Sequence, residues 1–179
     1  VLLMDEITRY LDVGSYESWS EKARIDFLLQ ELESRRPLIP ESWSPNGEAG
    51  EVLRTFRLIA EDNAAGIASY IISMAKRPSD VLSVVLLLRK CGVTRVLPAV
   101  PLFETLDDLE NAAWTLERLL RTSWYTRYIN GSQQVMIGYS DSAKDAGQMA
   151  AAWAQYRAQE ELVTVAEKYN IKLTLFHGR

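Results

Sequence analysis

One cysteine and one histidine occur in 179 residues. With Cys91 alone no disulfide can close within the chain, and a reducing compartment, the cytoplasm, fits best. Positive charge is not in excess either. Twenty Lys and Arg against 24 Asp and Glu leave a formal charge of −4, and no basic cluster is long or one-sided. Nucleic acid is therefore not expected as a partner. Long apolar runs are missing as well. The longest, residues 81–88, is interrupted by Ser83 and is far too short to cross a bilayer. The N-terminus has no basic stretch followed by an apolar one, so no signal peptide is read and no membrane is expected. The glycine loops of nucleotide folds, the nucleophile elbow of serine hydrolases and the Cys/His spacings of zinc sites are all absent.

What is present suits one domain with a real core, since 47% of the residues are apolar. The first third reads as helical. Ser18-Trp19-Ser20-Glu21 has the spacing of a capping box, and Ile25, Leu28, Leu29 and Leu32 follow at helical offsets. Residues 36–47 are rich in Pro, Ser, Asn and Gly and read as a loop. Val52, Phe56, Ile59 and Ala60 restore the helical period. Residues 1–62 are thus expected to form a helical segment.

From residue 63 the pattern changes to four β/α units. Strands are expected at 67–73, 96–103, 134–139 and 173–176. Between them lie a helix capped by Ser79 and running to Cys91, one capped by Thr105, and one over 147–169. The first of these helices is apolar nearly all round and should be buried. Trp114, Trp153 and Tyr156 fall at helical positions and read as core. Alternation of this kind predicts a parallel α/β sheet: half of an eightfold barrel, or most of an open sheet. The chain opens on Val1 rather than Met and stops directly after an apolar strand, so a longer parent protein is expected.

Each expected strand ends in polar groups: Ser73 and Lys76, then Glu104, then Asp141 and Lys144, then His177 and Arg179. Parallel α/β folds bind ligands at those carboxyl ends. Glu104 and Asp141 would supply two hard oxygen donors from different strands, which suits Mg2+ or Mn2+. Each also has an ordinary explanation, Glu104 near a helix N-terminus and Asp141 as a helix cap. Lys144 is either a point charge for an anionic substrate or a solvated member of a local ion pair. Arg179 can grip a phosphate or carboxylate through its fork of donors, and His177 stands beside it.

Residues 135–147, VMIGYSDSAKDAG, resemble the lysine-containing signature of phosphoenolpyruvate carboxylase along their whole length. SYIISMAKRPSDVL, PLFETLDDLENA, AAAWAQYRAQEEL and LTLFHGR are similar to the same family, in its order and spacing. The resemblance covers nearly the whole chain and is weakest over residues 8–60. It implies part of a (β/α)8 TIM-type barrel with extra helices. It also implies metal-dependent carboxylation of phosphoenolpyruvate by bicarbonate to oxaloacetate and phosphate. In metabolism that is anaplerotic carbon fixation feeding the tricarboxylic acid cycle. By motif, Glu104 and Asp141 correspond to metal ligands, and Lys144, His177 and Arg179 to active-site residues. The family further implies a homo-oligomer, a tetramer. Its N-terminal catalytic histidine, the glycine-rich loop and later arginines have no counterpart here, so the 179 residues alone are expected to be inactive. Two rivals stand beside this reading: another metal-dependent barrel enzyme acting on phosphoenolpyruvate or pyruvate without bicarbonate, and a non-enzymatic binding or structural piece.

Overall fold

The computed structural model describes residues 1–138 and 147–178. The chain divides into two compact units, Val1–Ile67 with Leu82–Leu97, and Ala68–Val81 with Pro98–Arg179.

The first unit is helical, as its periodicity predicts. Helix α1 (Leu2–Tyr10) buries Leu3, Met4 and Ile7. A 3-10 turn (Tyr16–Ser18) leads into α2 (Glu21–Glu33), which buries Leu28 and Leu32. The cap of α2 is Ser20, whose hydroxyl accepts the N–H of Ala23 at 3.3 Å. Ser18, the expected cap, is spent in the 3-10 turn, donating to the Ser15 carbonyl at 2.8 Å. Helix α3 (Gly47–Glu61) buries Leu53 and Phe56 and begins on a glycine that sequence assigns to the preceding loop. The next helix in the chain is α4 (Pro78–Lys90), in which residues 81–88 are almost all fully buried, as expected of a segment apolar on every side. Its start differs from expectation. Pro78 takes the first helical position, where a missing N–H costs nothing, and Ser79 falls inside the first turn. Cys91 follows directly. Burial pushes its thiol up to about 11 against the opposing pull of Arg57, so it is protonated at neutral pH and a poor nucleophile.

The second unit is built on four parallel strands in the order β1 (Tyr70–Ile72), β2 (Ala99–Phe103), β3 (Ser132–Gly138) and β4 (Lys172–Gly178). Strands one and two are shorter than the apolar runs that announce them. Pro98 has no N–H to give, so β2 starts after it, although its carbonyl accepts from Tyr70 N at 2.8 Å. Strand four is longer and carries the ladder through His177. Helices α5 (Leu106–Leu120), α6 (Ser123–Ile129) and α7 (Gln148–Lys168) complete this unit. Seven α-helices and a four-stranded parallel sheet among the described residues make the chain α/β.

Helix α6 escapes sequence reading because seven residues rich in aromatics show no helical stripe. Tertiary burial holds it instead: Tyr125 is fully buried, and its hydroxyl donates to Gln133 Oε1 at 2.7 Å. The Gln133 amide in turn donates to the carbonyls of Ala99 and Gln134, tying α6 to β2 and β3. The expected core aromatics are a second difference. Trp114, Trp153 and Tyr156 are 47%, 62% and 53% exposed. Helix α7 packs instead through Ala151, Gln155, Ala158, Leu162 and Ala166, mostly small residues that let its axis approach closely.

Candidate functional site

Because all four strands run parallel, their carboxyl ends share one edge of the sheet. The register sets which residues meet there. Phe103 lies opposite Ile137, Ile137 opposite His177, and Gly138 opposite Gly178. Glu104 is the next residue on from β2 and stands beside Gly138. A Cβ placed on Gly138 would lie 2.9 Å from Glu104 Cγ, 3.1 Å from its Cα and 3.2 Å from its Cβ. Only glycine leaves the room that the Glu104 stem occupies. Gly178 makes the same kind of space one strand further, where a Cβ would meet Met136 Cε at 2.6 Å.

Glu104 is also held from its backbone. Thr105 caps α5, accepting the Asp108 N–H at 3.2 Å, and Asp108 Oδ2 accepts the N–H of Thr105 at 3.1 Å and of Glu104 at 3.3 Å. This reciprocal box fixes the point where the chain leaves β2 and enters the helix. Asp108 is 2% exposed, and its Oδ1 has no hydrogen-bond partner among the described residues. From the other side, buried Gln155 on α7 donates to the Gly138 carbonyl at 3.2 Å. The result is one half-buried carboxylate, set by a cap behind it and a glycine beside it, at the end of a central strand.

Of the residues singled out by sequence, Glu104 and His177 come to the same edge, two strands apart. His177 is exposed there. Lys76, after β1, is exposed at the same edge. Asp141, Lys144 and Arg179 lie outside the described residues. Among the described residues no group of three His, Cys, Asp or Glu side chains converges as a metal cage. A hard divalent ion does not need one. Mg2+ binds through one or two carboxylates and completes its shell with substrate oxygens and water. Glu104 meets the first requirement, in a cradle that a β-carbon on Gly138 would fill. A groove of about 440 Å3 between α5 and α7 is a poorer candidate. Its charges include Arg157 and Glu161, which already pair with each other at 2.8 Å.

Sequence reading missed three contributors. Asp108 carried a usable signal, since Thr105 and Asp108 have capping-box spacing. Gly138 carried one in part, as the glycine that ends an apolar strand before a polar turn. Gln155 gave none, because a polar residue within a helix does not announce which carbonyl it will satisfy.

The family model described as phosphoenolpyruvate carboxylase matches residues 2–179. The phosphoenolpyruvate carboxylase of Hahella chejuensis is 59% identical over 177 residues, covering 99% of this chain and 20% of the relative. Those of Enterobacter sp. (strain 638) and Shewanella oneidensis are 57% and 58% identical, over 98% and 99% of this chain and again 20% of their own length. The chain spans about a fifth of the length of the curated relatives it matches.

Proposed function

The chain belongs to the phosphoenolpyruvate carboxylase family, and from that premise we propose that the complete polypeptide carboxylates phosphoenolpyruvate with bicarbonate to give oxaloacetate and phosphate. The observation that carries this reading is Glu104, whose backbone N–H is held by a capping box and whose stem lies beside Gly138, the glycine within VMIGYSDSAKDAG that ends β3.

In this proposal Glu104 and Asp141 hold Mg2+ or Mn2+. A bound divalent ion supplies Lewis-acid stabilisation of the negative oxygen that develops on the three-carbon substrate. Lys144 and Arg179 offset the charge of the phosphate and carboxylate, and His177 orients bicarbonate by hydrogen bonding. Bicarbonate oxygen attacks phosphorus, the enol C–O oxygen leaves as enolate, and the carbon dioxide freed from carboxyphosphate is captured by the enolate carbon. We further propose that residues 1–62 form a helical segment and residues 63–179 four β/α units that are part of a (β/α)8 barrel, that the enzyme is a cytoplasmic tetramer, and that it replenishes tricarboxylic acid cycle intermediates. No helix among the described residues is long and apolar enough to cross a membrane.

The assay is oxaloacetate formation by the complete enzyme. Product is expected only when phosphoenolpyruvate, bicarbonate and Mg2+ are all present, and none is expected from the 179 residues alone. Consumption of phosphoenolpyruvate at full rate without bicarbonate would instead favour the rival barrel enzyme. A sharper test of the site is Gly138→Ala. The added methyl has no room beside Glu104, and displacing a catalytic group by about 1 Å costs roughly 10²-fold in rate. Carboxylation by Gly138→Ala at wild-type rate would detach Glu104 from the chemistry.

A further inference from the structure

Six non-glycine residues among those described have a positive φ. Five of them, Asp12, Asn63, Ala64, Asn130 and Asn170, sit where a helix has just ended. A left-handed residue is the ordinary stop at that place, and Asn and Asp tolerate it. Met74 is the exception. It has φ 54° and follows a strand, β1. A long unbranched side chain gains nothing from this backbone, which persists only where the surroundings over-determine it. They do so here. Ala75 is fully buried, Asp80 Oδ2 accepts the N–H of Lys76 at 3.1 Å and of Arg77 at 3.0 Å, and the Thr115 hydroxyl donates to the Lys76 carbonyl at 3.1 Å. Yet Met74 is 71% exposed, so its own packing offsets little of the strain.

Its place gives that exposed thioether a use. Ile72 of β1 pairs with Pro101 of β2, so Met74, two residues on, reaches the same edge of the sheet as Glu104, which follows the neighbouring strand. Glu104, His177 and Lys76, the candidate site residues at this edge, are all polar or charged. We propose that Met74 is a specificity-determining residue whose apolar side chain covers the carbon skeleton of the bound three-carbon substrate and keeps water from its enolate. The proposal rests on the carboxylase reading above. The enolate carbon has two fates. Attack on carbon dioxide forms a carbon–carbon bond and yields oxaloacetate. Taking a proton from water forms a C–H bond and yields pyruvate, with the carbon dioxide lost to solution and phosphate released in either case. A polar edge favours the second fate, and an apolar cover favours the first by excluding the proton donor.

The test uses the complete enzyme with phosphoenolpyruvate, bicarbonate and Mg2+, and reads the ratio of pyruvate to oxaloacetate together with KM. Met74→Gly and Met74→Asn both accept a positive φ, so their thermal midpoints should not fall. Both are expected to raise the pyruvate share roughly tenfold, the low end of what one apolar contact discriminates, and to raise KM for phosphoenolpyruvate. Met74→Leu keeps the apolar cover and should keep the wild-type ratio. Wild-type partition and KM in the Gly and Asn variants would overturn the proposal, as would a Leu variant as leaky as the Gly variant. A wild-type enzyme that forms no oxaloacetate from bicarbonate brings down the carboxylase reading itself, a result separable from the variants because it precedes them.

Discussion

Lys144→Met in the complete enzyme is expected to cut carboxylation by roughly 10²–10³-fold, the loss typical of removing one pre-placed electrostatic partner from an active site. The phosphoenolpyruvate phosphate and carboxylate carry several negative charges, and the sequence after β3 offers this lysine among two aspartates, Asp141 and Asp145. Lys144→Arg should rescue poorly, because the planar guanidinium is larger and aims its donors differently. The competing explanation is a solvated lysine in a local ion pair. That role is worth under about 1 kcal/mol, which is less than tenfold in rate. Initial rates with saturating bicarbonate separate the two. Near-normal oxaloacetate formation by Lys144→Met would return this lysine to an ordinary surface role.

Glu104→Gln should leave the fold intact and raise the Mg2+ requirement. The amide has nearly the shape of the carboxylate, so it still fits beside Gly138, and the bond to Asp108 uses the backbone N–H of residue 104 rather than its side chain. What is lost is one anionic oxygen donor of the few that a hard cation takes from protein. Loss of an outer-shell partner alone weakens metal sites by roughly 10–100-fold, so loss of a direct ligand should shift half-saturating Mg2+ by at least that much. The measurement is a Mg2+ titration of activity, with thermal unfolding without metal as the control. An unchanged titration would remove Glu104 as a ligand. A collapse of the metal-free thermal midpoint would show instead that its charge serves the N-terminus of α5.

Both experiments depend on residues that the amino-acid sequence itself makes legible. In the sequence Glu104 and Lys144 each follow an apolar run that gives way to polar groups, the pattern expected at the mouth of a parallel sheet, and the structure places Glu104 directly after β2. The supports of Glu104 are less legible. Asp108 declares itself only through its three-residue spacing from Thr105. That its carboxylate also reaches back to the N–H of residue 104 depends on how tightly the chain turns from β2 into α5. Met74 gives no signal, since φ is not written in a side chain that can adopt the ordinary regions of the backbone.

The residue order alone determined the helical first third, the alternation of strand and helix from residue 63, the apolar burial of α4 and the family to which the chain belongs. These are local matters of period, capping and motif, readable along the chain. Tertiary structure decided the rest. It placed Glu104 beside Gly138 through a register that pairs residues far apart in the chain, Phe103 with Ile137. It held α6 by burying Tyr125 rather than by helical propensity. It left Trp153 and Tyr156 exposed and packed α7 largely on alanines. Periodicity says that a helix has faces, but which face is covered depends on what else arrives to cover it.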